Sequence, residues 1–277
     1  CAKDMIAQLD QEGYGDTVHL VSFGGWNGPH LPDSLTPEDM YTAWKELCGE
    51  IFHGVDWDLE GHDKLDNPTN VFSLHCLESM GRFSQLAKED GYIIGMAPPQ
   101  SYLDLETSNF SRQVNLTDST RDWHNDFHYF GANVYAYLLA KFGSYIDFVS
   151  IQFYESYSTA GLRVFHENMA PDEYLYEYNR DLVVEKKGSF FVDFEQDPTL
   201  KYASQKVGFP LSKLVFGFAN GWGADDGDKY GVQSTIDDDI VVPALDFPFS
   251  CFSSFVTDPE TKMETEVSIL PKASAES

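Results

Sequence analysis

The sequence predicts an α/β fold built on a mostly parallel sheet. Short apolar runs alternate with stretches of helical periodicity along most of the chain, the pattern in which each strand is followed by a crossover helix. The 277 residues, 42% of them apolar, suffice for one sizeable domain with a continuous core. One apolar run also carries acids at alternate positions, which a sheet covered on both faces has to accommodate.

Strands are expected at 18–23, 54–60, 92–97, 148–153 and 214–218. Between the first two, Thr36-Pro37-Glu38-Asp39 offers a capping hydroxyl, a proline suited to the first helical position and early acids, so a helix should begin there. Met40, Ala43, Trp44, Leu47 and Ile51 then recur at helical spacing and should pack against the sheet. A second helix is expected over 71–88, with Val71, Leu74, Met80, Phe83 and Leu86 on its buried side and Gly91 near its end. Further helices are expected over 131–141 and 172–187, the latter leading through an extended piece at 190–194 towards the strand at 214–218. The stretch 98–127 reads as a long polar loop, a length that in compact domains goes with function or disorder. After Gly223 the pattern fails: 224–228 is polar and acidic, and prolines at 243, 248, 259 and 271 follow without clear periodicity. The main domain is therefore placed at 1–223. A divergent, partly disordered segment is expected over 224–277, its last fifteen or so residues burying least.

Charge narrows the partners. With 45 acids against 18 bases and a net charge of −27, the chain repels phosphate backbones and anionic lipid, so neither nucleic acid nor a membrane surface is an expected partner. A neutral ligand meets no such penalty, and a monomer is expected. Cys1, Cys48, Cys76 and Cys251 show no metal-ligand spacing and read as apolar thiols. Two glycosylation sequons, Asn109-Phe110-Ser111 and Asn115-Leu116-Thr117, point to an extracellular, secreted protein. No apolar run approaches a membrane span and no signal peptide is visible; the chain starts at Cys1 rather than Met, which leaves room for an upstream segment.

The decisive stretch is Gly54-Val55-Asp56-Trp57-Asp58-Leu59-Glu60-Gly61. In a strand Asp56, Asp58 and Glu60 share one face, while Val55, Trp57 and Leu59 share the other. A solvated acidic edge would explain three such acids, but a sheet covered on both faces would not. A (β/α)8 barrel does explain them, because its interior accepts inward side chains and its active sites lie at the C-terminal strand ends. Glu60, last in the strand, would then sit at the mouth. Carboxylates two residues apart are separated by about 6.6 Å and repel by about 2.5 kcal/mol at an effective dielectric near 20, enough to keep one protonated near neutrality as a general acid requires. Asp56, roughly 13 Å from Glu60, would act mainly by tuning Asp58. Two carboxylates projecting the same way from one strand cannot readily straddle a sugar ring, as two-carboxylate glycosidases demand. A nucleophile belonging to the substrate, such as a 2-acetamido carbonyl, is the remaining economical option.

At these residues the sequence resembles the family 18 glycoside hydrolases, the chitinases whose signature is D-x-x-D-x-D-x-E. It matches at Asp56, Asp58 and Glu60, with His53 in place of the first aspartate; a hydrogen-bonded core histidine is the expectation there. Ser22-Phe23-Gly24-Gly25 resembles the S-x-G-G motif of the third barrel strand. Met96-Ala97-Pro98-Pro99-Gln100 is similar to the fifth-strand end of the class III type, Gln152-Phe153-Tyr154 to the sixth, and 214–218 to the seventh. The resemblance implies substrate-assisted retaining hydrolysis of β-1,4-linked N-acetylglucosamine, with no metal or organic cofactor. Glu60 would protonate the glycosidic oxygen and then activate water, Asp58 would hold the acetamide nitrogen, and Tyr154 would orient its carbonyl. Gln152, Gly24, Gly25, Trp26 and Met96 would line the substrate site, Trp26 either stacking on sugar or packing in the core, whereas Trp57 should face the helices. About seventeen residues precede the S-x-G-G strand, room for a helix and no more. No tryptophan after 214–218 stands where the family's eighth strand carries one. The implied barrel is therefore incomplete, lacking strands one and two and a clear strand eight. Two rivals stay open: a non-catalytic chitinase-like carbohydrate-binding protein, and an endo-β-N-acetylglucosaminidase acting on N-glycans.

Overall fold

A computed structural model of the chain describes residues 2–62, 64, 66–114, 132–153, 159–181, 186–208, 210–219, 252–257 and 264–268. In chain order the elements are α1 (Ala2–Gln11), β1 (Leu20–Gly25), α2 (Pro37–Cys48), β2 (Gly54–Leu59), α3 (Leu74–Glu89), β3 (Ile93–Met96), α4 (Ala136–Phe142) and β4 (Phe148–Gln152). They continue with α5 (Thr159–Gly161), which runs into a π-helical turn at Leu162–His166, then α6 (Pro171–Arg180), β5 (Ser189–Val192), β6 (Gln205–Gly208), β7 (Leu214–Ala219), β8 (Phe252–Thr257) and β9 (Glu264–Ser268). The main sheet runs in the order β1-β2-β3-β4-β7-β8-β9, and every neighbouring pair is parallel except β8 with β9. The fold is thus mixed α/β on a mostly parallel sheet, as the alternation of apolar runs implies.

All five expected strands form within two residues of their expected bounds. The helix after β1 starts where the capping residues place it: Thr36 Oγ1 accepts a hydrogen bond from the Asp39 amide at 3.1 Å, with Pro37 in the first turn. Its buried stripe differs from the expected one. Tyr41 and Trp44 are buried with Met40 and Cys48 half-buried beside them, whereas Ala43 is exposed and Leu47 is 75% exposed. The period is right, but the stripe is turned towards Tyr41 and Cys48, with Met40 and Trp44 kept from the expected set. Helix α3 begins later than expected, at Leu74, since Ser73 caps it by accepting from the Cys76 amide at 3.0 Å and Val71 stays outside the helix and exposed.

Between α2, α3 and the sheet lies an aromatic core. Trp57 stacks on Phe23 with centroids 5.2 Å apart and meets Phe83 edge-on at 5.3 Å, and Phe83 also touches Tyr41 and Trp44 edge-on. Such pairs contribute about 0.5–1.5 kcal/mol each beyond the area they bury. The Trp57 indole N–H donates to Ser84 Oγ at 2.8 Å, so the one polar atom on that ring is satisfied. Trp57 therefore faces the helices, as the parity of β2 requires.

Two stretches depart from expectation, and a third, the extended piece, gains a partner. Residues 97–105 form no solvated loop; they are buried, and their polar groups bond to one another and to neighbouring segments. The Asp104 amide donates to Asn133 Oδ1 and Thr159 Oγ1 donates to Asp104 Oδ2, both at 2.7 Å, while Gln100 Nε2 donates to Tyr174 Oη at 2.6 Å. The extended piece near 190–194 is β5, which pairs antiparallel with β6 in a separate hairpin. Strands β8 and β9 fall inside 224–277, β9 within the last fifteen residues, and they continue the sheet where no periodicity stood out. The other residues beyond 219, with Cys1, Asn115 and Tyr154, lie outside the described residues.

Candidate active site

The face of the sheet opposite the aromatic core carries the acids. Parallel register sets Ser22 beside Asp56, Gly24 beside Asp58, and Asp56 beside Gly95. Facing residues of paired strands point to the same side of the sheet, so this face gathers Ser22, Gly24, Asp56, Asp58 and Gly95, and Gln152 joins them from β4. Asp56, Ser150 and Gln152 are buried, as is Glu60, which follows β2 directly and is 8% exposed. Asp58 is half-buried, and Ser22 and Gly24 are exposed, so the face opens towards solvent on the β1 side.

Gln152 ties the acids together. Its Nε2 donates to Asp58 Oδ1 at 2.7 Å and to the Ala97 carbonyl at 2.7 Å, with Glu60 Oε1 at 3.4 Å. A primary amide nitrogen carries two hydrogens, so the two short contacts take them and the contact with Glu60 is the weakest of the three. Across β3, one side chain thus reaches both carboxylates. At Asp56 the neighbouring residue has to be small: a Cβ on Gly95 would stand 2.5 Å from Asp56 Oδ1.

Of the two glycines of β1, Gly24 lets the acidic strand come close. Gly24 has φ +117°, and a Cβ there would stand 2.1 Å from the Asp58 carbonyl oxygen; Gly25 has φ +82°. Trp26 follows at the strand end, 38% exposed and so outside the core. Its neighbour Asn27 donates its amide to the Gly61 carbonyl at 3.1 Å, which places this turn beside the end of the acidic strand. Met96 is not brought to the acids. It stands opposite Trp57 in the register and is fully buried on the helix-covered face, because it has the wrong parity on β3 to share a face with Asp56. Tyr154 lies outside the described residues.

His53, at the first position of the acidic pattern, is exposed rather than core. It precedes β2 at the end remote from Glu60, and its Nδ1 accepts the His19 amide at 3.0 Å. Cys76 is a buried free thiol, pushed up to about 12 by burial, and Cys48 is also free. Among the described residues, no three His, Cys, Asp or Glu side chains gather where they could hold a metal ion, and no helix is long and apolar enough to cross a membrane.

Several groups that bear on Glu60 carry no sequence signal. His30 Nε2 donates to the Glu60 carbonyl at 2.8 Å, and burial lowers the pKa of the imidazole against the raising effect of that bond. Tyr135, fully buried, accepts the Leu59 amide at 2.7 Å and donates to the Leu59 carbonyl at 3.0 Å. Burial first, and then the charges of Asp58, Glu60 and Asp56, raise its pKa well above that of a free phenol, so it stays protonated. Tyr102 Oη accepts the Gly61 amide at 2.9 Å. Asn70 pins the chain just beyond, with Oδ1 accepting the His62 amide at 2.7 Å and Nδ2 donating to the Lys64 carbonyl at 2.8 Å. A tyrosine or histidine in an apolar sequence window reads as core, and only the fold shows which backbone atom it meets. The chain matches no protein-family model, and no curated protein matches it.

Proposed function

We propose that this chain is a glycoside hydrolase that cleaves β-1,4-linked N-acetylglucosamine polymers by a substrate-assisted, retaining route, with Glu60 as acid and base. The observation that carries the reading is the reach of one Gln152 amide to both Asp58 and Glu60 on a single face of the sheet. Two carboxylates held together on one side of a bound sugar do not straddle its ring, as a two-carboxylate retaining mechanism demands. The 2-acetamido oxygen of the substrate then supplies the attack. Asp58, which accepts from Gln152 through Oδ1, would hold the acetamide N–H; Glu60 protonates the departing glycosidic oxygen and afterwards takes a proton from water. By the resemblance in sequence, Tyr154 would orient the acetamide carbonyl. In this reading the sheet belongs to an incomplete (β/α)8 barrel, and the burial of Asp56, Ser150 and Gln152 on the face away from the helices supports that.

The test is turnover of N-acetylglucosamine oligomers by the protein and two variants. Glu60→Gln should lower kcat by about 10³-fold or more, and Asp58→Asn by a smaller factor, roughly 10²-fold. A Glu60→Gln protein that turns over oligomers as the wild type does overturns the assignment. Release of glycan from a high-mannose glycoprotein in preference to oligomer cleavage would move the substrate to N-glycans while leaving the chemistry in place.

A further inference from the structure

The strand that carries the acids ends in an unusual way on its β3 side. In a parallel ladder every second residue of one strand bonds with both its amide and its carbonyl to the same neighbour. The Ala97 amide donates to the Trp57 carbonyl at 2.8 Å, so the next bonds of the ladder would run from the Leu59 amide to the Ala97 carbonyl and from the residue 99 amide to the Leu59 carbonyl. Residue 99 is a proline, as is residue 98, and proline has no amide hydrogen. The ladder stops there.

Two tyrosine hydroxyls take its place. Tyr135 Oη accepts from the Leu59 amide and donates to the Leu59 carbonyl, satisfying with one hydroxyl both groups that β3 leaves open. Tyr102 Oη accepts from the Gly61 amide, the next on that side. The tyrosines are tied to each other, since the Tyr135 amide donates to the Tyr102 carbonyl at 3.0 Å, and the ring of Phe72 meets both edge-on. Because the Leu59 amide turns to Tyr135, the Ala97 carbonyl is left for Gln152 Nε2, the same nitrogen that reaches Asp58 and Glu60. Glu60 is therefore held on both flanks by side-chain hydroxyls, and the freed carbonyl positions the amide that reaches it.

We infer that Tyr135, with Tyr102, is a positioning residue for Glu60: its hydroxyl replaces the strand ladder that Pro99 interrupts, and so fixes both the Glu60 backbone and the Gln152 amide. This rests on the proposed hydrolase activity. Tyr135→Phe removes only the hydroxyl and keeps the ring. It should lower kcat for N-acetylglucosamine oligomers by about tenfold or more, given that a displacement of about 1 Å can cost a hundredfold, with KM held within roughly twofold. The alkaline limb of the kcat profile, which reports the proton on Glu60, should move as well. Thermal melting establishes that the variant is folded. A folded Tyr135→Phe protein with the wild-type kcat and pH profile, or with a raised KM and unchanged kcat, overturns the inference. If Tyr135→Phe does not fold, Tyr102→Phe is judged by the same criteria. A wild type that turns over no oligomer and releases no glycan defeats the proposed function itself, a result distinct from an active wild type with an indifferent tyrosine.

Discussion

At the scale of single residues, the site depends on side chains that occupy backbone bonds. Among the described residues, His30 is a histidine whose burial couples its protonation to stability at mild pH. In the unfolded chain a histidine takes up its proton near pH 6.5, whereas burial against the Phe72 ring holds that proton off in the folded protein until lower pH. Between those two values the unfolded state binds more protons, so His30 contributes stability above about pH 6.5 that is lost as the pH falls through the folded value. The urea midpoint of the wild type should fall between about pH 7.5 and about pH 5, and it should fall less for His30→Gln. Equal slopes for the two proteins would remove His30 from the account.

At the scale of elements, α3 and α4 meet where neither can carry more volume. Gly81 lies in the middle of α3, and a Cβ built on it would stand 2.1 Å from Cδ2 of Phe142 at the end of α4. In an isolated helix, alanine for glycine would stabilise by about 1 kcal/mol, but an overpacked core site costs typically 1–3 kcal/mol. Gly81→Ala is expected to destabilise by about 1–2 kcal/mol in urea titrations, and Phe142→Leu added to it should recover part of that loss through the shared contact. A gain in stability from Gly81→Ala alone would mean that the helices part freely. Arg112 performs a related task between elements. It bonds Asp197 at 2.6 Å, Thr199 at 2.8 Å and the Phe72 carbonyl at 3.0 Å, and so joins the segment between β5 and β6 to the start of α3.

For the whole molecule, charge sets the working conditions. A net charge of −27 repels itself in the compact state, and salt screens that repulsion. Raising sodium chloride from about 20 mM to about 0.5 M should raise the melting temperature by a few degrees, because the Debye length shrinks from about 20 Å to about 4 Å. An unchanged or lower melting temperature would show that local ion pairs such as Lys88–Asp147, at 2.6 Å, outweigh the global repulsion. A neutral polysaccharide is the kind of polymer such a surface can approach without electrostatic cost, which agrees with the proposed substrate.

The sequence by itself determined β1, β2, β3, β4 and β7, the capping of α2 by Thr36, the shared face of Asp56 and Asp58, and the opposite orientation of Trp57. Each of these follows from hydrophobic period, side-chain parity or a cap, which act over a few neighbouring residues. Even there the limits show: the stripe of α2 was legible in period but not in phase, and 97–105 reads as solvated only because buried polar groups and exposed ones look alike in a sequence. Tertiary structure alone decided that Gln152 meets Asp58 and Glu60 from 94 and 92 residues away, that Met96 turns from them, and that Tyr135 reaches Leu59 across 76 residues. The Pro98-Pro99 pair is plain in the sequence. Which hydroxyl would answer the bond that Pro99 cannot make is settled only when distant segments pack, since the choice depends on which donor the fold brings to the open Leu59 carbonyl.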